Sequence, residues 1–358
     1  MSSGEGRYAR QSLIPDWDQS RLSAATFVLA GMGALGNEVA KNLALLGAGR
    51  LIVCDRDTVA TSNLSRSVLF APDDVGEPKA VVAARALARL APSTVVSARV
   101  GDLINAVGVG ELADADAVLG CLDSRHARLS LLGRCARAGA PLIDGGTHPW
   151  GGEVRVRLSP DEACYCCSLT PGQRAEADAP LSCDPAGAPQ PASIISTALV
   201  AGWMTTAATQ LLLGRPVGWR FLQIEALSGR TAPITVRRDD GCGFHRRPDF
   251  VDQLKLGGSA TVRELLATLP EDSEPLVWSM FPVPGICYHC GHESVPASIR
   301  GGSLVGCPNC REIVHLDLTQ RLREAPPDAT LSELGVAPEE IIPVRSSSGG
   351  YRWLRIAA

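Results

Sequence analysis

The sequence lacks an excess of positive charge. Its 34 Lys and Arg stand against 38 Asp and Glu, a net charge of -4, so no basic field draws the chain to nucleic acid. Long apolar runs are also missing. The start, MSSGEGRYARQ, holds no hydrophobic stretch of signal-peptide length, and each later apolar run is broken by Arg, Gly, Pro or Asp before it reaches the length of a membrane span. No membrane role and a cytoplasmic location are therefore expected. No internal repeat is present either, which sets repeat architectures aside. Cysteine is not scarce: there are twelve, and in a reducing compartment they read as metal ligands or reactive thiols before they read as disulfides.

Hydrophobic content of 45% and charged content of 20% are ordinary for a globular chain, and 358 residues suffice for one large α/β domain with a smaller appendage. From 26 to 148, short apolar runs alternate with helical patterns (TFVLAG, NEVAKNLALLGAG, LIVCD, KAVVAARALARLAP and onward), which predicts a parallel sheet covered by helices on both faces. After Gly151 the pattern becomes strand-like alternation: in GEVRVRLS, Val154, Val156 and Leu158 share one face, and Arg155 and Arg157 the other. Such strands continue the sheet in antiparallel fashion or lie at its edge. Residues 171 to 192 are dense in Pro, Ala, Gly and Asp and read as a loop before a long helix, SIISTALVAGWMTTAATQLLLG. The expected domains are 1–250 and a C-terminal region, 251–358, with helices at TVRELLATL and near LSELGV flanking a cysteine-rich knuckle.

The chemistry gathers in the first half. Gly31-x-Gly33-x-x-Gly36 follows a predicted strand and opens a predicted helix, with Asp55 ending the next strand. A tight turn, exposed backbone N–H groups and a helix N-terminus suit a phosphate-bearing nucleotide. On that ground alone a nicotinamide dehydrogenase is the default. Asn63, Arg66 and Lys79 point elsewhere: hydride transfer has no use for them, whereas a triphosphate does. Asp123, in LGCLDSR, falls at the carboxyl edge of the sheet, where a carboxylate can hold Mg²⁺ against phosphates. Taken singly, Arg66 and Lys79 also fit surface ion pairs and Asp123 a helix N-cap.

Together, GMGALG, DRDTVATSNLSR, GEPKA and GCLDSRHAR resemble, in order and spacing, the ubiquitin-activating-enzyme superfamily and its bacterial members ThiF, MoeB and HesA, over about residues 7 to 245. The resemblance implies a Rossmann-like ATP-binding fold with a mixed sheet. It implies that Asp55 binds the ATP ribose, with Gly31, Gly33, Gly36 and Asp57 completing the nucleotide set. Asn63, Arg66 and Lys79 would handle the phosphates, and Asp123 would hold Mg²⁺. RYARQ also matches, implying a homodimer in which Arg10 reaches the other subunit's phosphates. Ser67 departs from the pattern, which usually has Gln there. The implied reaction is adenylation of the C-terminal carboxylate of a ubiquitin-like or sulfur-carrier protein with a glycine tail. That nucleophile is ionised at neutral pH and needs no general base. Relief of anion–anion repulsion by cations is then the main contribution of the protein.

Cys164-x₂-Cys167 and Cys242-x₂-His245 are pairs that can close one tetrahedral zinc site. The family resemblance, which carries a CxxC at each place, implies a structural zinc with His245 replacing a Cys, and Cys166 as a spare thiol or alternative ligand. Cys287-x₂-Cys290 and Cys307-x₂-Cys310 match a zinc ribbon by spacing alone, a second structural zinc site suited to docking. Cys183, in the breaker-rich loop, is either a thiol that takes up the activated carboxylate or sulfur or an inert loop cysteine. Cys54, Cys121 and Cys135 read as buried structural thiols. The competing readings are adenylation of a short peptide or a tRNA base, and a non-catalytic ATP-binding scaffold.

Overall fold

The computed structural model describes residues 6–178, 193–296, 298 and 302–357. It divides into two compact units. The first comprises Met1–Leu103 and Leu112–Arg247, the second Ile104–Glu111 and Pro248–Ala358.

In the first unit, β1 (Thr26–Ala30), β2 (Arg50–Asp55), β3 (Val95–Val100), β4 (Ala117–Gly120) and β5 (Leu142–His148) lie parallel. β6 (Gly151–Arg157), β7 (Phe221–Glu225) and β8 (Arg230–Pro233) extend the sheet in antiparallel fashion. The order β3-β2-β1-β4-β5-β6-β7-β8 is the mixed Rossmann-like sheet expected. Because strand order reverses between β1 and β4, a crevice opens at their carboxyl ends, the place where open α/β sheets bind ligands.

The central strands are buried on both faces, and so read as apolar runs rather than alternation. Helix Ile194–Leu212 packs on helix Ala34–Leu46 and on β5 and β6. Its close approach depends on strand glycines: a Cβ at Gly145 would stand 2.3 Å from Met204 Sδ, and one at Gly152 2.5 Å from a Val200 methyl. On β6, Val154 and Val156 enter the core as their alternation requires, yet Arg157 on the other face is buried too. It donates to the carbonyls of Pro160 and Phe244, which lie in the segments that carry the first cysteine cluster.

Two sequence expectations give way. Residues Pro171–Asp178 form a helix rather than loop. Proline is tolerated at a first helical position, and Thr170 and Gln173 cap the start by exchanging side-chain-to-backbone hydrogen bonds. Conversely LSELGV is a single turn: Thr330 and Glu333 form the same reciprocal cap, but Gly335 at φ +84 ends it at once.

The second unit is built on a five-stranded sheet that the sequence pattern did not disclose. β9 (Asp252–Leu254), β10 (Glu274–Pro282), β15 (Leu318–Arg321), β16 (Glu340–Arg345) and β17 (Tyr351–Ile356) take the order β15-β10-β16-β17-β9. Helix Val262–Ala267, capped by Thr261 and Glu264, packs with the Leu331–Val336 turn into its core. Between β10 and β15 the chain emerges as two small hairpins, β11 (Gly285–Ile286) with β12 (Glu293–Ser294) and β13 (Leu304–Gly306) with β14 (Ile313–His315). Segment Ile104–Glu111 belongs here because its glycines seat against backbone: a Cβ at Gly108 would fall 2.0 Å from Pro338 O, and Gly110 N–H donates to Glu339 O.

Candidate functional site

The glycine turn leaves β1 at the switch point. Gly31 has φ +94, a conformation that favours glycine, and a Cβ there would meet the Cys121 carbonyl at 2.5 Å. Gly36 brings the helix against the turn so closely that a Cβ would sit 1.9 Å from Gly31 O. Gly33 is different: its φ is -70, and nothing lies within 4 Å of the position its Cβ would take. Gly31 and Gly36 therefore shape the turn, and Gly33 leaves open space beside the helix N-terminus.

Asp55, at the end of β2, accepts hydrogen bonds from the Met32 N–H at 2.6 Å and the Asp57 N–H at 2.8 Å. Burial raises its pKa, against the opposing effect of those two donors and of Lys79. Segment 76–79 runs back against 57–59, with Lys79 N–H donating to Asp57 O. Lys79 Nζ then lies 3.0 Å from Asp57 Oδ2, so the ion pair expected of an isolated lysine is present. Asn63 closes its own 3-10 turn by accepting from Ala60 N–H, and Arg66 donates to Ser62 O at 2.6 Å. Ser67 is buried, and its hydroxyl has no hydrogen-bond partner among the described residues.

Asp123 lies beyond the carboxyl end of β4, beside β1, and is exposed. It is not the cap of the next helix; that place is taken by Ser124, which accepts from Ala127 N–H. Glycine turn, Asp55 loop and Asp123 loop thus follow three adjacent strands at one sheet edge. Arg10 is held at the other edge: Tyr8 packs against Gly47 and reaches Ser93, Arg7 donates to Leu90 O, and Gln11 donates to Leu46 O. Cys183 lies outside the described residues.

Sequence reasoning missed Arg128, whose signal was only an arginine one turn into the helix after Asp123. Its guanidinium donates to Leu122 O and Gly145 O and lies 3.2 Å from Asp144 and 3.4 Å from Glu153. It therefore fixes the loop that carries Asp123. Asp144 is buried, and that burial pushes its pKa up to about 6, with Arg128 opposing the shift.

Both cysteine clusters close. Cys164, Cys167, Cys242 and His245 bring one ligand atom each within 4.8 Å of one another, as do Cys287, Cys290, Cys307 and Cys310. In the first, Sγ–Sγ separations are 3.5 Å and 3.7 Å, and Cys167 Sγ lies 3.1 Å from His245 Nε2. His245 Nδ1 meets Pro160 O at 2.6 Å, which orients the ring with Nε2 toward the thiols, the outer-shell contact that metal-bound histidines usually make. In the second, two matching knuckles face each other. Gly291 N–H donates to Cys287 O and Arg311 N–H to Cys307 O, with Gly291 at φ +69 and Arg311 at φ +66. The donor sets of both clusters fit a tetrahedral soft metal ion. Cys54 and Cys135 are buried, as expected, and Cys121 is partly so.

The sheet and the crevice at its switch point define a Rossmann-like α/β protein. Comparison with known proteins narrows the class. The family model described as ThiF family matches residues 7–244. The chain is 33% identical over 246 residues to a sulfur carrier protein adenylyltransferase of Thermus thermophilus, covering 66% of this chain and 89% of that one. It is 30% identical over 236 residues to the sulfur carrier protein ThiS adenylyltransferase of Escherichia coli, covering 62% and 92%. Among solved structures, E. coli MccB with ATP shares the fold at a TM-score of 0.56 and 21% identity, covering 68% of this chain and 75% of that one. The chain belongs to the ThiF family, within the E1-like adenylyltransferases.

Proposed function

We propose that this protein uses ATP and Mg²⁺ to adenylate the C-terminal carboxylate of a sulfur-carrier or ubiquitin-like protein. The observation that supports the reading is that the open glycine turn, the Asp55 segment and the exposed Asp123 follow three adjacent strands at one sheet edge, with Lys79 paired to Asp57 beside Asp55.

The carrier's carboxylate oxygen attacks the α-phosphorus, the bond to the bridging oxygen breaks, and pyrophosphate leaves; the product is an acyl adenylate. Backbone N–H groups around Gly33 receive phosphate oxygens. Asp55 and Asp57 bind the ribose side, and Asn63, Arg66 and Lys79 stabilise charge on the phosphates as pyrophosphate departs. Lys79 leaves Asp57 to do so, exchanging one anionic partner for a more highly charged one. Asp123 is the ligand for Mg²⁺, which neutralises phosphate charge when bound. Arg128 keeps Asp123 in place. Arg10, anchored at the far edge of its own sheet, serves the site of a second subunit in a homodimer. Both cysteine clusters would hold structural zinc; among the described residues the second has a core of Cys287, Cys307, Val314 and Leu316 with a few partners, too little to fold unaided. Thiols kept reduced for these ions suit the cytoplasm. Cys183 is the candidate acceptor if the adenylate is passed to a thiol.

The test is incubation with MgATP and a carrier ending in Gly-Gly. The proposal expects one pyrophosphate per carrier and an adenylate on the carrier, trapped as a hydroxamate by hydroxylamine. ATP hydrolysed to ADP and phosphate, with an unmodified carrier, would contradict it.

A further inference from the structure

Asn37, the residue that follows Gly36, is fully buried and makes three side-chain hydrogen bonds. Its Nδ2 donates to Met32 O at 2.8 Å and to Gly33 O at 3.0 Å. Its Oδ1 accepts from Leu69 N–H at 3.0 Å. One amide therefore joins the glycine turn to the loop that carries Arg66, three residues before Leu69. The turn is gripped from its other side as well, since Met32 N–H donates to Asp55. The loop is pinned just beyond Arg66 by the buried Leu69 and Phe70, and its backbone closes through Arg66 N–H and Ser67 N–H donating to Asn63 O.

The geometry points to Asn37 as a positioning residue that sets Arg66 against the phosphates held by the glycine turn. This rests on the adenylation reading above. An aliphatic residue of the same size fills the space but leaves Leu69 N–H and Met32 O without partners, so turn and loop are free to part. A misplacement of about 1 Å at a reacting group costs on the order of 100-fold in rate. Asn37 touches no substrate; its effect passes through Arg66.

The test compares wild type, Asn37→Leu, Arg66→Ala and the double variant in ATP–pyrophosphate exchange, with hydrogen exchange at the Leu69 amide measured in parallel. Asn37→Leu should lower kcat by on the order of 100-fold while the KM for ATP moves by less than about 3-fold. Adding Arg66→Ala should then cost little more, since coupled residues are non-additive. Leu69 N–H should exchange at least about 10-fold faster, with Leu29 and Val53 unchanged. Multiplying losses in the double variant, or undisturbed Leu69 protection, would overturn the proposal. If Asn37→Leu fails to fold, Asn37→Asp takes its place: it keeps the acceptor for Leu69 and loses both donors, so protection should persist while kcat falls. A wild type that exchanges no pyrophosphate would defeat the adenylation reading, and the Leu69 measurement would still decide whether the clamp exists.

Discussion

Gly33 and Gly36 share a turn but are glycine for different reasons, and alanine at each separates the two. At Gly36 the added carbon would lie 1.9 Å from Gly31 O and 2.9 Å from its carbonyl carbon, both backbone atoms. Restoring a van der Waals separation of about 3.5 Å moves helix or turn by about 1.6 Å. Overpacking of that kind costs about 1–3 kcal/mol, and the displacement falls on the phosphate-binding turn. Gly36→Ala should therefore lower Tm by several degrees and weaken ATP binding together. At Gly33 there is open space and an ordinary φ, so Gly33→Ala should change stability by less than about 0.5 kcal/mol. Its methyl group nevertheless stands where a phosphate approaches the turn, and ATP affinity should fall by about 10-fold or more. Thermal melts by circular dichroism and titration calorimetry with MgATP measure both quantities. Unchanged ATP affinity in Gly33→Ala would place the phosphates elsewhere and refute the reasoning.

Asp123→Ala should abolish pyrophosphate exchange without a loss of Tm, because the carboxylate is exposed and caps no helix; retained exchange would remove it from the Mg²⁺ site. Dimers that pair an Arg10→Ala subunit with an Asp123→Ala subunit should recover activity, since one site then keeps both groups; inactive mixed dimers would place Arg10 in cis. Asp144 has a folded pKa of about 6 above an ordinary 3.8, so the folded state holds its proton where the unfolded state has lost it. Its contribution to stability is thus greatest at and below pH 4, is lost as pH rises to 6, and amounts to about 3 kcal/mol. The stability of wild type relative to Asp144→Asn, measured by urea unfolding, should fall by about that amount between about pH 3 and 7, and a flat difference would deny the shift. Chelation should release zinc and erase the hydrogen-exchange protection of Gly291 and Arg311 N–H, with Leu354 in the adjoining sheet keeping its own; protection that survives metal removal would show that the ribbon folds unaided.

Much of this architecture was legible because local patterns and local geometry agree. Strand–helix alternation from 26 to 148 is what a doubly covered parallel sheet requires, and the switch to alternation after Gly151 marks the turn to antiparallel pairing. The cysteine knuckles were readable for the same reason, since each closes within five residues of chain. What escaped depends on distant partners. Asn37 and Arg128 are ordinary helix residues until Leu69 and Gly145 arrive beside them. The second unit's sheet pairs β9 with β17, about a hundred residues apart, and a cysteine-rich excursion parts β10 from β15. Helix Pro171–Asp178 was hidden by treating proline as a breaker where it is an initiator.

The most direct test of the central claim is ATP–pyrophosphate exchange with Mg²⁺ and a ubiquitin-like protein ending in Gly-Gly, run beside the same protein without its last glycine. Adenylation of the tail predicts exchange with the intact carrier and none with the shortened one. Exchange that ignores the missing glycine, or none across a panel of such carriers while ATP demonstrably binds, would contradict it.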